Sequence, residues 1–205
     1  MKECWIFGSS FIEDYSKYDV PQDAFVIAAD GGYSHIKRLG IKPDLILGDF
    51  DSLNEKLPDD CDTITVPSRK DDTDMMLAVK KALEKGYCSI TICGALGGRL
   101  DHTIANIQTL EFIYEHGGNG RIFSESNIVM LQSNSSKMYP KIDGFYFSIF
   151  SLTDETVVTT TGTKYNLTDY SLTRDFPLGV SNEILSEQAE ITVKSGKLLI
   201  LYSKK

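Results

Sequence analysis

The chain has 205 residues, of which 41% are hydrophobic and 24% charged. This is ordinary globular composition, so a disordered or fibrous chain is excluded, and one large domain or two small ones are expected. There are 21 Lys and Arg residues against 29 Asp and Glu, giving a net charge of −8. A protein that binds the nucleic-acid backbone normally has a basic surplus, so no nucleic-acid partner is expected.

The acidic surplus is local. From Asp44 to Asp74 the chain has ten acidic residues against three basic ones, a surplus of −7. Such a concentration of carboxylates repels itself unless water solvates it or a cation binds it. The rest of the chain is almost neutral.

Apolar runs and helical periodicity alternate through about the first 120 residues. The pattern predicts strands at residues 4–10, 25–29, 44–49, 63–66 and 89–93, and helices at residues 33–39, at 72–85 and from Leu100 to the Gly117-Gly118 pair. In the last helix the predicted buried stripe is Leu100, Ile104, Ile107, Leu110 and Tyr114. Strands that alternate with helices indicate a largely parallel sheet.

After about residue 120 the helical periodicity ends. Short strands rich in aromatic and β-branched residues are predicted at residues 128–132, 146–150, 156–160, 191–194 and 198–202, with turns that include 133–136 and 195–196. This pattern is typical of an antiparallel β-sandwich. We therefore predict an α/β fold, with a Rossmann-like domain over residues 1–122 followed by a β-sandwich domain over residues 123–205.

Two aspartates follow the third predicted strand. Asp49 and Asp51 are separated by one residue, at the end of a strand where open α/β sheets bind ligands. Carboxylates in this position suit Mg²⁺, which leaves room for phosphate oxygens. An Asp-x-Asp pair alone is also an ordinary turn sequence.

Two further acidic clusters open the long helices. They are Lys70-Asp71-Asp72-Thr73-Asp74 and Gly97-Gly98-Arg99-Leu100-Asp101-His102. Either alone is explained by helix capping, and His102 by the turn itself. Three acidic clusters at one sheet edge instead indicate a metal and phosphate site. Lys70 and Arg99 fit phosphate contacts or ion pairs equally well, and the chain has neither GxxxxGK[ST] nor GxGxxG.

Taken together, these motifs resemble the thiamin pyrophosphokinase family. The motifs that carry the resemblance are Ala29-Asp30-Gly31-Gly32, Pro43-Asp44 through Gly48-Asp49-Phe50-Asp51-Ser52, Asp71-Asp72-Thr73-Asp74, Gly97 through His102, Gly162 through Tyr165, and Gly179-Val180-Ser181-Asn182-Glu183. They occur in the family's order over almost the whole chain.

The resemblance implies transfer of pyrophosphate from ATP to thiamine, with Mg²⁺ as cofactor, in a homodimer with active sites at the subunit interface. The implied Mg²⁺ ligands are Asp49, Asp51 and Asp74. The implied nucleotide-binding residues are Asp30, Gly31, Gly32, Lys70, Thr73 and Arg99. The implied catalytic residues are Asp71, Asp101 and Arg99, with Asp71 or Asp101 as the base that accepts the alcohol proton.

The resemblance also implies that Ser181 and Asn182 bind the thiamine aminopyrimidine and that the ring stacks on residue 165. Many relatives have Trp at that position, whereas this chain has Tyr165, which still offers an aromatic face.

Other functions share the acidic motifs. Three alternatives stay open at this point: a pyrophosphokinase acting on another hydroxymethyl heterocycle such as a pterin, a sugar-nucleotide transferase, and a non-catalytic nucleotide or thiamine sensor.

The start has no signal-peptide core, no apolar run is long enough to span a bilayer, and the four cysteines show no CxxC spacing. We therefore expect a cytoplasmic protein with no membrane partner.

Overall fold

A computed structural model of the chain describes residues 2–49, 57–58, 60–67 and 71–205. The chain divides into two units, Met1–Glu125 and Ser126–Lys205. The division lies after residue 125, whereas the sequence pattern predicts it after residue 122. Among the described residues, none of the helices has the length and apolar character needed to cross a membrane.

The first unit contains a parallel sheet with helices. Its strands are β1 (Glu3–Phe7), β2 (Phe25–Ala29), β3 (Leu45–Gly48), β4 (Asp62–Thr65), β5 (Ser89–Cys93) and β6 (Asn119–Phe123). Its α-helices are α1 (Tyr33–Arg38), α2 (Asp74–Glu84) and α3 (Leu100–Glu115).

The strand order across this sheet is β4-β3-β2-β1-β5-β6, and every pairing is parallel. Ile6 of β1 is in register with Ile27 of β2 and with Ile92 of β5, and all three side chains are fully buried. Burial on both faces is the usual state of a parallel sheet. The chain runs outward from β1 to β4 and then returns to β5 beside β1, so the order reverses between β1 and β5.

Helix α2 follows its predicted pattern. Thr73 is its N-cap, and the Thr73 hydroxyl accepts a hydrogen bond from the Met76 backbone N–H at 3.1 Å. Its buried face includes Met75 and Val79 of the predicted stripe. Beyond its end, Gly86 has a φ of 83°, which favours glycine.

The predicted stripe on α3 is wrong for most of its length. Leu110 is buried, whereas Leu100, Ile104 and Tyr114 are 72%, 50% and 36% exposed. The buried face of α3 is formed by Asn106, Thr109, Leu110 and Ile113.

Two contacts explain this rotation of α3. A Cβ at Gly120 of β6 would lie 2.8 Å from Ile113 and 3.0 Å from Leu110, so the missing side chain admits these two residues. The Asn106 side chain donates to the Ala95 carbonyl at 2.8 Å, which satisfies its buried amide. Hydrophobic periodicity assigns a polar residue such as Asn106 to the solvent face and therefore misplaces the stripe.

The second unit is antiparallel. Its strands are β7 (Asn127–Pro140), β8 (Phe145–Ser151), β9 (Glu155–Thr161), β10 (Leu167–Thr173) and β11 (Gln188–Lys204). Strand β11 pairs with β7 along its length, with β9 over residues 190–195, and with β8 over residues 198–204, while β10 pairs with β9. Its core includes Phe147, Val158, Ile191, Leu198 and Ile200. The parallel first part and antiparallel second part confirm the predicted fold class.

Two predicted turns of this unit are bulges inside long strands. Residues 133–136 lie within β7, and residues 195–196 lie within β11. Between Val193 and Lys197 the register of β11 against β7 shifts, so residues 194–196 oppose Asn134 alone. Asn134 and Gly196 have φ values of 42° and 84°, the left-handed conformation that turn residues tolerate. The turn residues therefore bend paired strands instead of reversing the chain.

Candidate active site

A cleft of about 210 Å³ lies in the first unit, where the loops after β1 and β5 meet. This is the reversal point of the strand order, the usual ligand site of an open α/β sheet. The lining residues are Gly8, Ser9, Ser10, Ala29, Asp30, Asp49, Asp72, Thr73, Asp74, Met75, Gly94, His102, Ala105 and Asn106.

Glycines allow the loops around this cleft to approach each other. A Cβ on Gly94 would lie 2.5 Å from the Gly8 carbonyl oxygen, and a Cβ on Gly32 only 1.8 Å from the Phe7 carbonyl oxygen. The Ser10 N–H donates to the Gly94 carbonyl at 2.9 Å. No larger residue fits at these positions without a backbone shift, and of these glycines Gly94 lines the cleft.

Asp30 contributes the first carboxylate of the cleft. It begins the 3₁₀ turn Asp30–Gly32 directly after β2, with a φ of 52°. A non-glycine residue in this conformation costs on the order of 1–3 kcal/mol, and such strain is concentrated at functional sites. In the predicted nucleotide-binding turn, Asp30 lines the cleft, while Gly31 packs on Ser9 and Gly32 packs on Phe7.

Three more carboxylates come from the end of β3 and the start of α2. Asp49 follows β3 directly, Asp74 is the first residue of α2, and Asp72 precedes the Thr73 cap. The Lys80 ammonium donates to both Asp72 oxygens, at 2.7 and 2.9 Å. The predicted ligands Asp49 and Asp74 and the predicted phosphate contact Thr73 therefore line the same cleft.

The donor chemistry of this cleft fits Mg²⁺. Four acidic residues and Ser9, Ser10 and Thr73 line one cleft, and Mg²⁺ binds through one or two carboxylates plus water and phosphate oxygens. Within residues 2–49, 57–58, 60–67 and 71–205, no three His, Cys, Asp or Glu side chains are close enough together to hold a metal ion. Asp51, the third predicted ligand, lies outside the described residues.

Arg99 and Asp101 form an exposed ion pair at the start of α3. The Arg99 guanidinium donates to Asp101 through Nε at 3.1 Å and Nη2 at 2.5 Å, and the His102 N–H donates to Asp101 Oδ1 at 3.0 Å. The bond from Arg99 lowers the pKa of Asp101 and raises that of Arg99. Neither side chain lines the cleft.

Asp71, the other candidate base, is exposed and does not line the cleft either. Its neighbour Asp72 does, so within this acidic cluster the structure brings Asp72, Thr73 and Asp74 to the site. Lys70, predicted to contact phosphate, lies outside the described residues.

Sequence reasoning did not identify Ser9, Ser10 and Asn106, and it named Asp72 and His102 only as members of the acidic clusters, without a role. Ser9 and Ser10 directly follow β1, so the strand-end rule that selected Asp49 could have found them. Asn106 lies inside α3, and only its position on the buried face indicates that it reaches the cleft.

The predicted thiamine-binding residues belong to the second unit. The Tyr165 ring is 63% exposed, whereas Asn182 is only 9% exposed. Ser181 has a φ of 57°, and its N–H donates to the Ser148 hydroxyl at 3.0 Å. The Asn182 side chain is hydrogen-bonded to both the N–H and the carbonyl of Tyr165, so the structure brings these two predicted residues together.

A charged cluster lies beside them. Glu183 accepts hydrogen bonds from the ammonium groups of Lys164 at 2.9 Å and Lys205 at 2.5 Å. The bonds from Lys205 and Lys164 lower the pKa of Glu183 to about 2. The Lys164 ammonium also lies 5.8 Å from the centre of the Tyr165 ring.

Comparisons with known proteins connect both units to one family. The family description "Thiamin pyrophosphokinase, catalytic domain" matches residues 19–119, and "Thiamin pyrophosphokinase, vitamin B1 binding domain" matches residues 135–198. A thiamine pyrophosphokinase of Bacillus subtilis (strain 168) is 30% identical over 190 residues, covering 86% of this chain and 86% of that protein. Thiamin pyrophosphokinase 1 of Caenorhabditis elegans is 27% identical over 190 residues, covering 85% and 76%.

Solved structures agree with these relatives. The crystal structure of thiamine pyrophosphokinase from Bacillus subtilis matches with a TM-score of 0.91 at 27% identity, covering 100% of both chains. That of thiamin pyrophosphokinase from Geobacillus thermodenitrificans matches with a TM-score of 0.86 at 26% identity, covering 99% and 98%. The matches extend over both units and confirm the resemblance read from the motifs. The chain belongs to the thiamin pyrophosphokinase family.

Proposed function

We propose that this chain transfers the pyrophosphoryl group of ATP to the hydroxyethyl oxygen of thiamine, giving AMP and thiamine diphosphate. Family membership supports this reaction. The observation that carries the phosphate half is the cleft at the strand reversal point, which is lined by Asp30, Asp49, Asp72 and Asp74. Carboxylates grouped at such a crevice suit a nucleotide that arrives with a divalent cation.

The proposed metal ligands are Asp49 and Asp74, together with Asp51. When bound, Mg²⁺ neutralises phosphate charge that develops during the transfer. The Thr73 hydroxyl accepts the helix-capping bond and so keeps its own proton for donation to a phosphate oxygen. Arg99, Lys70 and the turn Asp30-Gly31-Gly32 complete the proposed nucleotide contacts.

In the proposed reaction the thiamine alcohol oxygen bonds to the β-phosphorus, and the bond from that phosphorus to the oxygen bridging the α-phosphorus breaks. AMP leaves with that oxygen, and the alcohol proton passes to a carboxylate, for which Asp71 and Asp101 are the candidates. The hydrogen bond from Arg99 lowers the pKa of Asp101. Replacing each with Asn separates them, since only loss of the true base lowers kcat while ATP binding is unchanged.

The proposed acceptor site is in the second unit. The exposed Tyr165 ring offers a face on which the aminopyrimidine stacks. Asn182 is hydrogen-bonded to the Tyr165 backbone, and both Ser181 and Asn182 are held by strand β8. We further propose a homodimer with its active sites at the subunit interface. Its support is a group of exposed apolar side chains in one segment, Phe176, Leu178, Val180 and Leu185. Light scattering should then return about twice the 22.8 kDa chain mass.

The four cysteines are free thiols, which supports a reducing compartment, and we propose the cytoplasm.

The test of function is incubation with Mg·ATP and either thiamine or a hydroxymethylpterin, followed by chromatography of the products. We expect AMP and thiamine diphosphate with thiamine, and no AMP above background with the pterin. AMP formed only with the pterin, or with neither acceptor, would contradict the proposal.

A further inference from the structure

One buried side chain binds both backbone groups of Tyr165. The Asn182 Oδ1 accepts from the Tyr165 N–H at 3.1 Å, and the Asn182 Nδ2 donates to the Tyr165 carbonyl at 2.9 Å. The same Oδ1 also accepts from the Glu183 N–H at 2.8 Å. The amide of Asn182 thus fixes the peptide groups on either side of the Tyr165 Cα atom.

Asn182 is itself anchored to the core. Its carbonyl accepts from the N–H of Phe147, a core residue of β8 that is 2% exposed, at 2.8 Å. The Ser181 N–H donates to the Ser148 hydroxyl, also in β8, and the φ of 57° at Ser181 turns the chain there. The bonds therefore run without a break from a core strand, through Asn182, to the backbone of Tyr165.

The exposed ring of Tyr165 depends on this backbone for its direction. Tyr165 is 63% exposed, and the Lys164 ammonium lies 5.8 Å from the centre of its ring. Nearby bonds hold the rest of the turn. The Lys164 N–H donates to the Glu183 carbonyl at 2.8 Å, and the Thr163 hydroxyl donates to the Tyr165 carbonyl at 3.1 Å. Among the bonds of this turn, it is the Asn182 amide that binds the Tyr165 N–H.

We propose that Asn182 is a positioning residue that orients the Tyr165 ring for the acceptor. An amide side chain has two acceptor positions and two N–H donors. The bonds to Tyr165 and Glu183 use both acceptor positions and one donor. Asn182 therefore has one N–H left for a substrate and acts mainly through the ring it holds. This inference rests on the proposed function, in which the ring is the stacking surface for thiamine.

A double-mutant cycle tests this role with thiamine diphosphate formation as the assay. Asn182→Ala and Tyr165→Ala should each lower kcat/KM for thiamine by about tenfold, through KM, because an unfixed ring must be ordered on binding. The KM for ATP should not change. The double variant should be no worse than Tyr165→Ala alone. If the two effects multiply, Asn182 acts on the substrate directly, and the proposal is overturned.

Amide hydrogen exchange tests the structural step without any substrate. In Asn182→Ala the Tyr165 and Glu183 amides should exchange faster, while core strands keep their protection. Asn127→Ala, another asparagine change in the same unit, should alter neither exchange nor KM. Asn182→Asp keeps the acceptor oxygen and should restore protection of both amides in part. Unchanged exchange in Asn182→Ala would overturn the proposal. If that variant does not fold, Asn182→Asp provides the test. In that variant, unchanged amide exchange in the turn that follows the Tyr165 carbonyl, together with an unchanged thiamine KM, would also overturn the proposal. If the wild type forms no thiamine diphosphate, the proposed function fails, while the exchange result still decides what Asn182 holds.

Discussion

The two units bring their proposed functional side chains together in different ways. In the first unit most segments of the cleft follow a parallel strand or open a helix, because all parallel strands end at one sheet edge, and Ala105 and Asn106 lie farther inside α3. In the second unit Tyr165 and Asn182 are seventeen positions apart and meet through hydrogen bonds between two loops. A parallel sheet thus assembles a site from short contiguous motifs, whereas an antiparallel unit needs specific bonds between distant segments.

The electrostatics differ in the same way. The cleft of the first unit groups four carboxylates and requires a cation to receive a polyphosphate. In the second unit Glu183 is already bound by Lys164 and Lys205, and an aromatic ring is exposed beside them. The first site is therefore expected to depend on charge, and the second on the placement of a ring.

The largest expected effect concerns the carboxylates of the first unit. Asp49→Ala should lower kcat/KM by about 100-fold or more, equivalent to about 2.7 kcal/mol of transition-state stabilisation, because a metal ligand is lost. The melting temperature should stay close to that of the wild type, since removing one of several grouped carboxylates relieves repulsion.

Asp62→Ala is the matched control for this change, because Asp62 is an exposed acid at the start of β4 outside the cleft. It should leave kcat/KM unchanged. Equal activity of Asp49→Ala and the wild type would refute a charge-dependent site.

The second effect concerns the close backbone packing between the turn after β2 and the end of β1. Gly32→Ala should lower the free energy of unfolding by about 3 kcal/mol, because its Cβ would lie 1.8 Å from the Phe7 carbonyl oxygen. Gly40→Ala is the control, since Gly40 has a φ of 68° but no atom within 4 Å of the added Cβ. It should cost only about 1 kcal/mol of conformational strain. Urea denaturation measures both, and equal losses would mean that close packing at Gly32 is unimportant.

The third effect separates ring placement from charge in the second unit. Tyr165→Trp and Tyr165→Phe should keep thiamine KM within about threefold of the wild type, because both retain an aromatic face. Tyr170→Ala, at another exposed tyrosine, should have no effect on KM. Steady-state kinetics at saturating Mg·ATP provides the measurement. A large loss in Tyr165→Phe would instead indicate that the phenolic hydroxyl is the important group.

The smallest effect concerns pH and the first unit. Burial lowers the pKa of His35 from its usual value of 6.5, and the ring nitrogen Nδ1 is 2.7 Å from the Tyr15 hydroxyl. The unfolded chain then binds a proton more readily than the folded one, so the free energy of unfolding falls as pH drops below about 6.5. Titration of the His35 ring by NMR checks the direction. A pKa above 6.5 would contradict it.

The sequence predicts more of the first unit than of the second. Hydrophobic runs place β1, β2, β3 and β5 correctly because these parallel strands are buried on both faces, and α2 because it has a clear apolar face. Strand β4 is also predicted, although none of its residues is buried. The stripe on α3 fails because Asn106 is buried through a hydrogen bond, which a hydrophobicity pattern does not represent. Strands β6 and β10 escape prediction since their sequences include Gly, Asn and Asp, which are rare in strands.

The candidate site shows the same difference. Strand-end motifs find Asp30, Asp49 and Asp74, but they cannot decide between Asp71 and its neighbour Asp72, because side-chain direction at a helix start depends on the local backbone. The bulge at Asn134 and Gly196 contains residue types that are typical of turns. Only the pairing with the opposite strand shows that each strand continues through the bulge. The bonds between Asn182 and Tyr165 have no local signature in the sequence at all.

The central claim is transfer of an intact pyrophosphoryl group from ATP to thiamine. The most direct measurement uses Mg·ATP radiolabelled at the β-phosphorus, with thiamine as acceptor and separation of all products. The account predicts that the label appears in thiamine diphosphate and that unlabelled AMP forms in equal amount. Formation of ADP with thiamine monophosphate, or no labelled thiamine product, would contradict it.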